Sequence, residues 1–183
     1  MKKITLILLF ACGIIVSASA QDKYLTKKGA IDFEASVAAF EPVKAKHESV
    51  TGILNTANGE IAALALMRGF RFKVALMEEH FNENYIESEK HPKATFKGKL
   101  EKFSIKDLSE TPKEFLLYGN VTMRGKEKAV KTTAKVSMKD DVIYVKTSFD
   151  AKPEEFDIDI PKVVSKKISE TIHVTVDLGL KKK

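Results

Sequence analysis

The sequence predicts an all-β fold, an eight-stranded antiparallel β-barrel with one or two short helices. Three observations carry that prediction: apolar and polar residues alternate along most of the chain, turn-forming pairs punctuate the alternating runs, and there is no repeated strand–helix alternation. Alternation with period two marks a half-buried strand, because successive side chains point to opposite faces. One polar face per strand argues against the doubly buried strands of a parallel sheet.

The elements follow in chain order. Ile31, Phe33, Ala35 and Val37 alternate with Asp32, Glu34 and Ser36, and Asn58-Gly59, lying between two apolar runs, signals a hairpin. Phe70, Phe72, Val74 and Leu76 alternate with Arg71 and Lys73 and predict a further strand. From Met77 to Ser88 the rule breaks: Met77, His80, Phe81, Tyr85 and Ser88 fall at helical spacings, and His91-Pro92 returns the chain to extended form. Strands resume with Ala94, Phe96, Gly98 and Leu100, then Phe115, Leu117, Gly119, Val121 and Met123, with Gly125 as a turn. Ala134, Val136 and Met138 precede Asp140-Asp141, which separates them from Ile143, Val145, Thr147 and Phe149. Pro161 at a first helical position predicts one or two turns to Lys167. Ile168, Ile172, Val174, Val176 and Leu178 make the last strand. Eight or so such strands must close or stack. Closure removes exposed edges, and an eight-stranded barrel can hold one small ligand; a two-sheet sandwich is the alternative.

The start of the chain reads as a removable leader. Met1-Lys2-Lys3 is a positive n-region, Ile4 to Val16 an apolar stretch, and Ala18-Ser19-Ala20 a small-residue cleavage site. The division is thus 1–20 signal peptide and 21–183 one barrel domain, cleaved after Ala20 and delivered to the periplasm or outside the cell. The apolar stretch is shorter than the roughly 20 residues of a spanning helix, so no transmembrane segment is expected in the mature chain. Leu9-Phe10-Ala11-Cys12 is a poor lipoprotein box and gives lipidation at Cys12 as the rival. Of 183 residues, loss of 20 leaves 163, enough to bury a core without staples.

Several classes of chemistry are disfavoured. Cys12 is the single cysteine and leaves with the leader, which excludes a disulfide framework, a thiolate nucleophile and a Cys-ligated metal. The formal net charge of +6 falls by two, to +4, without Lys2 and Lys3, and the basic residues are scattered, so no nucleic-acid partner is expected. His47, His80, His91 and His173 show no metal spacing, and Glu78-Glu79-His80 lacks the second histidine of a zinc motif. His80 is expected to cap or hydrogen-bond an ordered loop, and His173 to face solvent from a polar strand face. No Gly-x-Ser-x-Gly elbow or glycine-rich phosphate loop is present. No catalysis, metal or cofactor is expected.

The positive signal is an aromatic stripe. Ten of the eleven phenylalanines lie beyond the leader, and Phe33, Phe70, Phe72, Phe96, Phe115 and Phe149 occupy strand-period apolar positions. In a closed barrel such a face meets either packed side chains or a ligand cavity.

Met77-Glu78-Glu79-His80-Phe81-Asn82-Glu83-Asn84-Tyr85-Ile86-Glu87-Ser88, followed by His91-Pro92-Lys93-Ala94-Thr95-Phe96-Lys97-Gly98, resembles the YceI-like family of exported polyisoprenoid-binding proteins. Gly-Ala-Ile-Asp-Phe at 29–33, Gly52 with Asn58-Gly59, and Val121-Thr122-Met123-Arg124-Gly125 extend the resemblance over nearly the whole mature chain. His80 and Phe81 match the His-Leu step of a common family segment, whereas Glu127-Lys128 replaces the usual Thr-Lys. With no tryptophan for a Gly-x-Trp signature, kinship with true lipocalins is architectural. The resemblance implies a lipocalin-like barrel whose interior takes a long isoprenoid tail, from a quinone or a prenyl pyrophosphate. On that reading Phe33, Phe70, Phe72, Phe96, Phe115, Leu117, Val121, Val136, Phe149 and Val174 are candidate lining residues. His80, Asn82 and Asn84 are candidate polar groups at a mouth. The expected partner is an apolar lipid, with a homodimer left open. The rivals are a filled-barrel envelope stress or interaction module and an isoprenoid-modifying enzyme.

Overall fold

The structure, a computed structural model, describes residues 23–38 and 40–183; the expected leader with its cleavage site, and Cys12, lie outside the described residues. Among the described residues nine strands form: β1 Lys23–Ser36, β2 Lys44–Asn55, β3 Glu60–Leu66, β4 Arg71–Phe72, β5 Lys93–Leu100, β6 Lys113–Met123, β7 Lys126–Lys139, β8 Val142–Ala151 and β9 Ile168–Lys182. Around the sheet the order is β1-β9-β8-β7-β6-β5-β3-β2, and β1 pairs back onto β2, so eight strands close an antiparallel barrel. The expected fold class is the observed one.

Local chemistry accounts for the hairpins. Asp140 and Asp141 both have positive φ, 50° and 59°, and join β7 to β8 with Lys139 opposite Val142. Arg124 and Gly125, at 49° and 74°, do the same between β6 and β7. Two positive-φ residues match the twist of the flanking strands. At the β2–β3 turn, Asn58 Oδ1 accepts from the Glu60 amide and Gly59 takes φ 76°.

β2 was not distinguished by alternation, and a bulge explains it. Between the pairs Ile31–His47 and Gly29–Val50, β2 carries one residue more than β1, which shifts its inward phase. The expected strand over 70–76 shrinks to β4. Phe72 pairs with Ala45 next to the start of β2, so Lys73 onward has no strand left to pair with, and the chain winds into α1, Ala75–His80. A π-helical turn, Phe81–Tyr85, follows, closed by the Ile86 amide donating to the Phe81 carbonyl at 2.9 Å. The expected helix at 161–167 is reduced to turns with one i,i+4 bond, from the Ser165 amide to the Pro161 carbonyl.

The two barrel ends differ. At one end the segment 101–112 folds under the strands and packs Phe103, Ile105 and Leu108 against the core, above which Leu54, Leu100, Val136, Ile143 and Leu180 are fully buried. We call it the closed end. At the other, the mouth end, three segments gather: 37–43 between β1 and β2, 67–92 between β3 and β5, and 152–167 between β8 and β9.

Ion pairs anchor the middle segment. Arg124 donates to the Tyr85 carbonyl and, at 3.0 Å, to Glu87 Oε2, tying the β6–β7 hairpin to the π turn. Arg71 and the Phe72 amide both donate to Glu78, at 3.0 and 3.1 Å. Lys90 first, and Arg124 with it, hold the Glu87 carboxyl below its ordinary pKa. Arg124→Asn keeps a residue tolerant of positive φ while removing the tie. Amide exchange at Ile86 and Ser88 should then rise about tenfold while barrel amides stay protected, as hydrogen-exchange NMR would show.

His47 sits behind β4, 2% exposed. Its Nδ1 accepts from the Ser49 amide at 3.0 Å, which leaves the proton of the neutral ring on Nε2. Nε2 makes no hydrogen bond of good geometry, and a Cβ on Gly69 would lie 2.1 Å from it, so only glycine fits there. Burial pushes the His47 pKa down, the Arg71 charge adds to the shift, and the Leu66 carbonyl opposes it. The unfolded chain therefore binds a proton on this ring more readily than the fold does. Stability from this group is complete above about pH 6.5 and is lost as pH falls below that value toward the lower folded pKa. Urea midpoints should fall between about pH 7 and 5.5 in the wild type, and His47→Gln should flatten that slope.

Candidate functional site

The inward positions of the strands change character along the barrel axis. On the mouth side they surround a cavity of about 540 Å³. Ile31, Phe33 and Ala35 of β1, Ile61, Ala63 and Ala65 of β3, and Ile172, Val174, Val176 and Leu178 of β9 line it, with Phe96, Leu117, Val121, Val130, Val145 and Phe149. Toward the closed end the next inward residues, Leu100, Val136, Ile143 and Leu180, are fully buried and do not line this cavity. The interior is thus part cavity and part solid core, whereas the filled-barrel alternative requires packing throughout.

One wall of the mouth is aromatic. Phe33, Phe70, Phe72 and Phe81 form a cluster with ring centroids 5.2 to 5.7 Å apart, and all four line the cavity. Tilted and edge-on contacts of this kind add about 0.5–1.5 kcal/mol per pair beyond area burial. The cluster holds the α1 and π segment over the opening: Met77, Phe81 and Tyr85, spaced by four residues, turn one helical face to the cavity. Burial pushes the Tyr85 phenol up, so its ring stays neutral. The segment 152–167 contributes Phe156, Ile158, Ile160 and Val164, and Phe40 comes from 37–43.

Polar groups on the lining are few. Thr95, Thr132 and Thr147 belong to the barrel wall, and the Thr132 and Thr147 hydroxyls donate to the Ser148 and Thr133 carbonyls at 2.7 and 3.0 Å. Glu41, His80, Lys152 and Lys167 belong to the mouth segments. A site with an apolar body and charge only at its opening suits a molecule with a long apolar part and one polar end. Among the described residues no group of three or more His, Cys, Asp or Glu gathers to hold a metal. No helix among them is long and apolar enough to cross a membrane.

Of the residues singled out from sequence, Phe33, Phe70, Phe72, Phe96, Leu117, Val121, Phe149 and Val174 line the cavity, as does His80. Phe115 and Val136 do not. Both point inward but sit near the closed end, where Phe115 packs on Phe103 at 5.5 Å and Val136 is fully buried. Asn82 turns away from the mouth: its Nδ2 donates to the Glu78 carbonyl at 2.8 Å, while Oδ1 is enclosed without a partner. Asn84 is exposed on the far side of the turn. Neither shares the helical face of Met77, Phe81 and Tyr85. His80 is the last residue of α1 and borders the cavity, and His173 pairs with Asp150 at 2.9 Å on the outer surface. Sequence reading missed the β3 lining, Ile61, Ala63 and Ala65, because small alanines carry little apolar signal. It also missed Phe156 and Ile158, which lie in a loop without strand periodicity.

Solved structures share this architecture at low sequence identity. A polyisoprenoid-binding domain from Saccharophagus degradans superposes with TM-score 0.77 at 14% identity, covering 89% of this chain and 99% of that one. Burkholderia cenocepacia BcnA gives TM-score 0.67 at 12% identity, covering 84% and 95%. The Campylobacter jejuni YceI protein gives 0.62 at 14% identity, covering 80% and 90%. No curated protein matches the chain. The model of the YceI-like domain matches residues 23–180, which takes in all three mouth segments and every barrel strand but for the last two residues of β9. The chain belongs to the YceI-like domain family.

Proposed function

We propose that the protein is an exported binding protein that sequesters or carries a long apolar lipid, a polyisoprenoid, within the barrel. The observation that carries this reading is the cavity of about 540 Å³, apolar along its walls and charged only at its mouth. Each methylene-sized group moved from water into such walls contributes about 0.8 kcal/mol. A greasy chain is therefore held without specific polar contacts. A polar head, from a quinone or a prenyl pyrophosphate, remains at the opening beside Glu41, His80, Lys152 and Lys167. The likeness to a polyisoprenoid-binding domain supports the choice of lipid.

The leader pattern read in residues 1–20 supports the periplasm or the exterior as the site of action. Water-filled space between membranes is where an apolar lipid needs a carrier. Catalysis forms no part of this function.

Native mass spectrometry of protein purified from its own envelope, with extraction of bound lipid, should find one isoprenoid per chain. Ala63→Phe, which fills the cavity from the β3 wall, should weaken lipid uptake at least about tenfold and leave the melting temperature near its wild-type value. A clean apo mass together with failure to take up added prenyl lipid would sink the proposal.

A further inference from the structure

The large apolar side chains left exposed are not spread evenly over the molecule. Among the described residues they are Phe40, Leu66, Leu76 and Val163, with the hydroxyl-bearing Tyr118 and Tyr144. Tyr118 follows the inward Leu117, and Tyr144 lies between the inward Ile143 and Val145, so both tyrosines stand on the outer barrel wall. The four hydrocarbon side chains all lie at the mouth end: Phe40 in the 37–43 segment, Leu66 at the end of β3, Leu76 in α1 and Val163 in the 152–167 segment. Exposed singly, such residues are ordinary. Gathered round an apolar opening, they mark a surface that meets another apolar phase.

Val163 is the most exposed of them, at 86%, and hydrogen bonds fix the turn that carries it. The Val164 and Ser165 amides both donate to the Pro161 carbonyl, at 2.9 and 3.0 Å, and the Lys167 amide donates to the Val164 carbonyl at 2.8 Å. This turn sets Ile160 and Val164 in the cavity lining and leaves Lys162, Val163, Ser165 and Lys166 exposed outside it. No acidic residue falls within 160–169, where Lys162, Lys166 and Lys167 stand. Lys167 borders the opening, as does Lys152. Among the described residues none of these four lysines makes an ion pair. The acids of the same segment, Glu154, Glu155, Asp157 and Asp159, all precede Pro161, and Lys126 holds Asp157 at 2.7 Å.

We propose that the mouth end docks on the surface of an anionic bilayer, with Val163 and Phe40 entering the headgroup region and Lys162 and Lys166 facing acidic lipid heads. Charge complementarity selects this occupant. A bilayer with acidic heads offers apolar depth to Val163 and negative charge to the lysines on either side of it within one layer. Lysine stems lie along apolar surface while their ammonium groups reach the heads. Docking by the mouth sets the cavity opening against the phase in which an isoprenoid dissolves. That use of the surface, though not the docking itself, rests on the carrier reading above.

The test is co-sedimentation of the protein with vesicles of phosphatidylcholine alone and of an equimolar mixture with phosphatidylglycerol, with uptake of the apolar probe 1-aminoanthracene measured in parallel. The mixed vesicles should bind at least about tenfold more tightly, and added salt should remove the difference. Each lysine at such a surface is worth about fivefold, so Lys162→Gln with Lys166→Gln should weaken binding roughly twentyfold. Val163→Asp should weaken it at least about tenfold. All three positions are exposed and outside the cavity lining, so melting temperature and probe uptake should stay at wild-type values. The chain has no tryptophan, so Val163→Trp and Tyr118→Trp report on the two faces separately. On mixed vesicles the emission of the first should move to shorter wavelength and that of the second should not. Absence of binding to mixed vesicles overturns the docking, as does binding that neither the lysine pair nor Val163→Asp weakens, or a shift at Tyr118→Trp in place of Val163→Trp. Sedimentation without vesicles marks association between copies of the chain and overturns it as well. Vesicle binding without probe uptake supports the docking and counts against the carrier reading alone.

Discussion

Closure of the sheet by β1 is the constraint on which the rest of the structure depends. β1 is hydrogen-bonded on both sides, to β2 and to β9, which removes the two free edges an open sheet of these strands would expose. A closed sheet of eight strands separates an inside from an outside, and the alternation of each strand assigns its residues to one or the other. The cost is local irregularity. β1 and β2 each carry an extra residue relative to the other near Gly29, and the resulting bulges bend the pair around the barrel. His47 and Gly69 belong to the same adjustment, since β3 leaves β2 there and β4 takes its place.

Given a closed barrel, its function turns on how the interior is divided. Side chains alone fill a barrel of this size when all are large. Here the closed end is filled by leucine, isoleucine and valine and sealed by Phe103, Ile105 and Leu108, so stability comes from a compact half. Toward the mouth, alanines at 63, 65 and 94 and threonines at 132 and 147 stand where larger residues would fill the void. The protein thus gives up packing in one half, leaving contacts that an apolar guest would restore.

The covering segments follow from the same division. An open apolar cavity needs cover, and the aromatic cluster of Phe33, Phe70, Phe72 and Phe81 attaches the α1 and π segment to the barrel wall. Arg124 and Arg71 fasten its two ends by hydrogen bonds to Glu87 and Glu78, while Lys126 pairs with Asp157 of the 152–167 segment at 2.7 Å. These ties are exposed or half-buried and individually weak, whereas the strands beneath are held by continuous ladders. The mouth is therefore the part of the molecule that opens at least cost.

Much was legible in the sequence because it depends on local chemistry. Alternation placed Phe33, Phe96, Phe149 and Val174 on inward faces, Asn58-Gly59 and Asp140-Asp141 marked turns, and Met77, His80, Phe81, Tyr85 and Ser88 at helical spacings marked the break in the strand pattern. These signals reach only a few residues along the chain, so they survive without knowledge of the fold. Depth along the barrel axis did not. Phe115 and Phe149 have the same strand pattern, yet one is buried against Phe103 and the other lines the cavity. Val136 and Val174 divide in the same way. Depth is set by register between distant strands and by the loops that cap each end, quantities no local pattern contains. The sequence by itself determined the barrel and the inward face of the strands that alternate; only the tertiary structure added the inward faces of β2 and β3 and decided which inward residues meet empty space, because a void is made by what several strands together leave out.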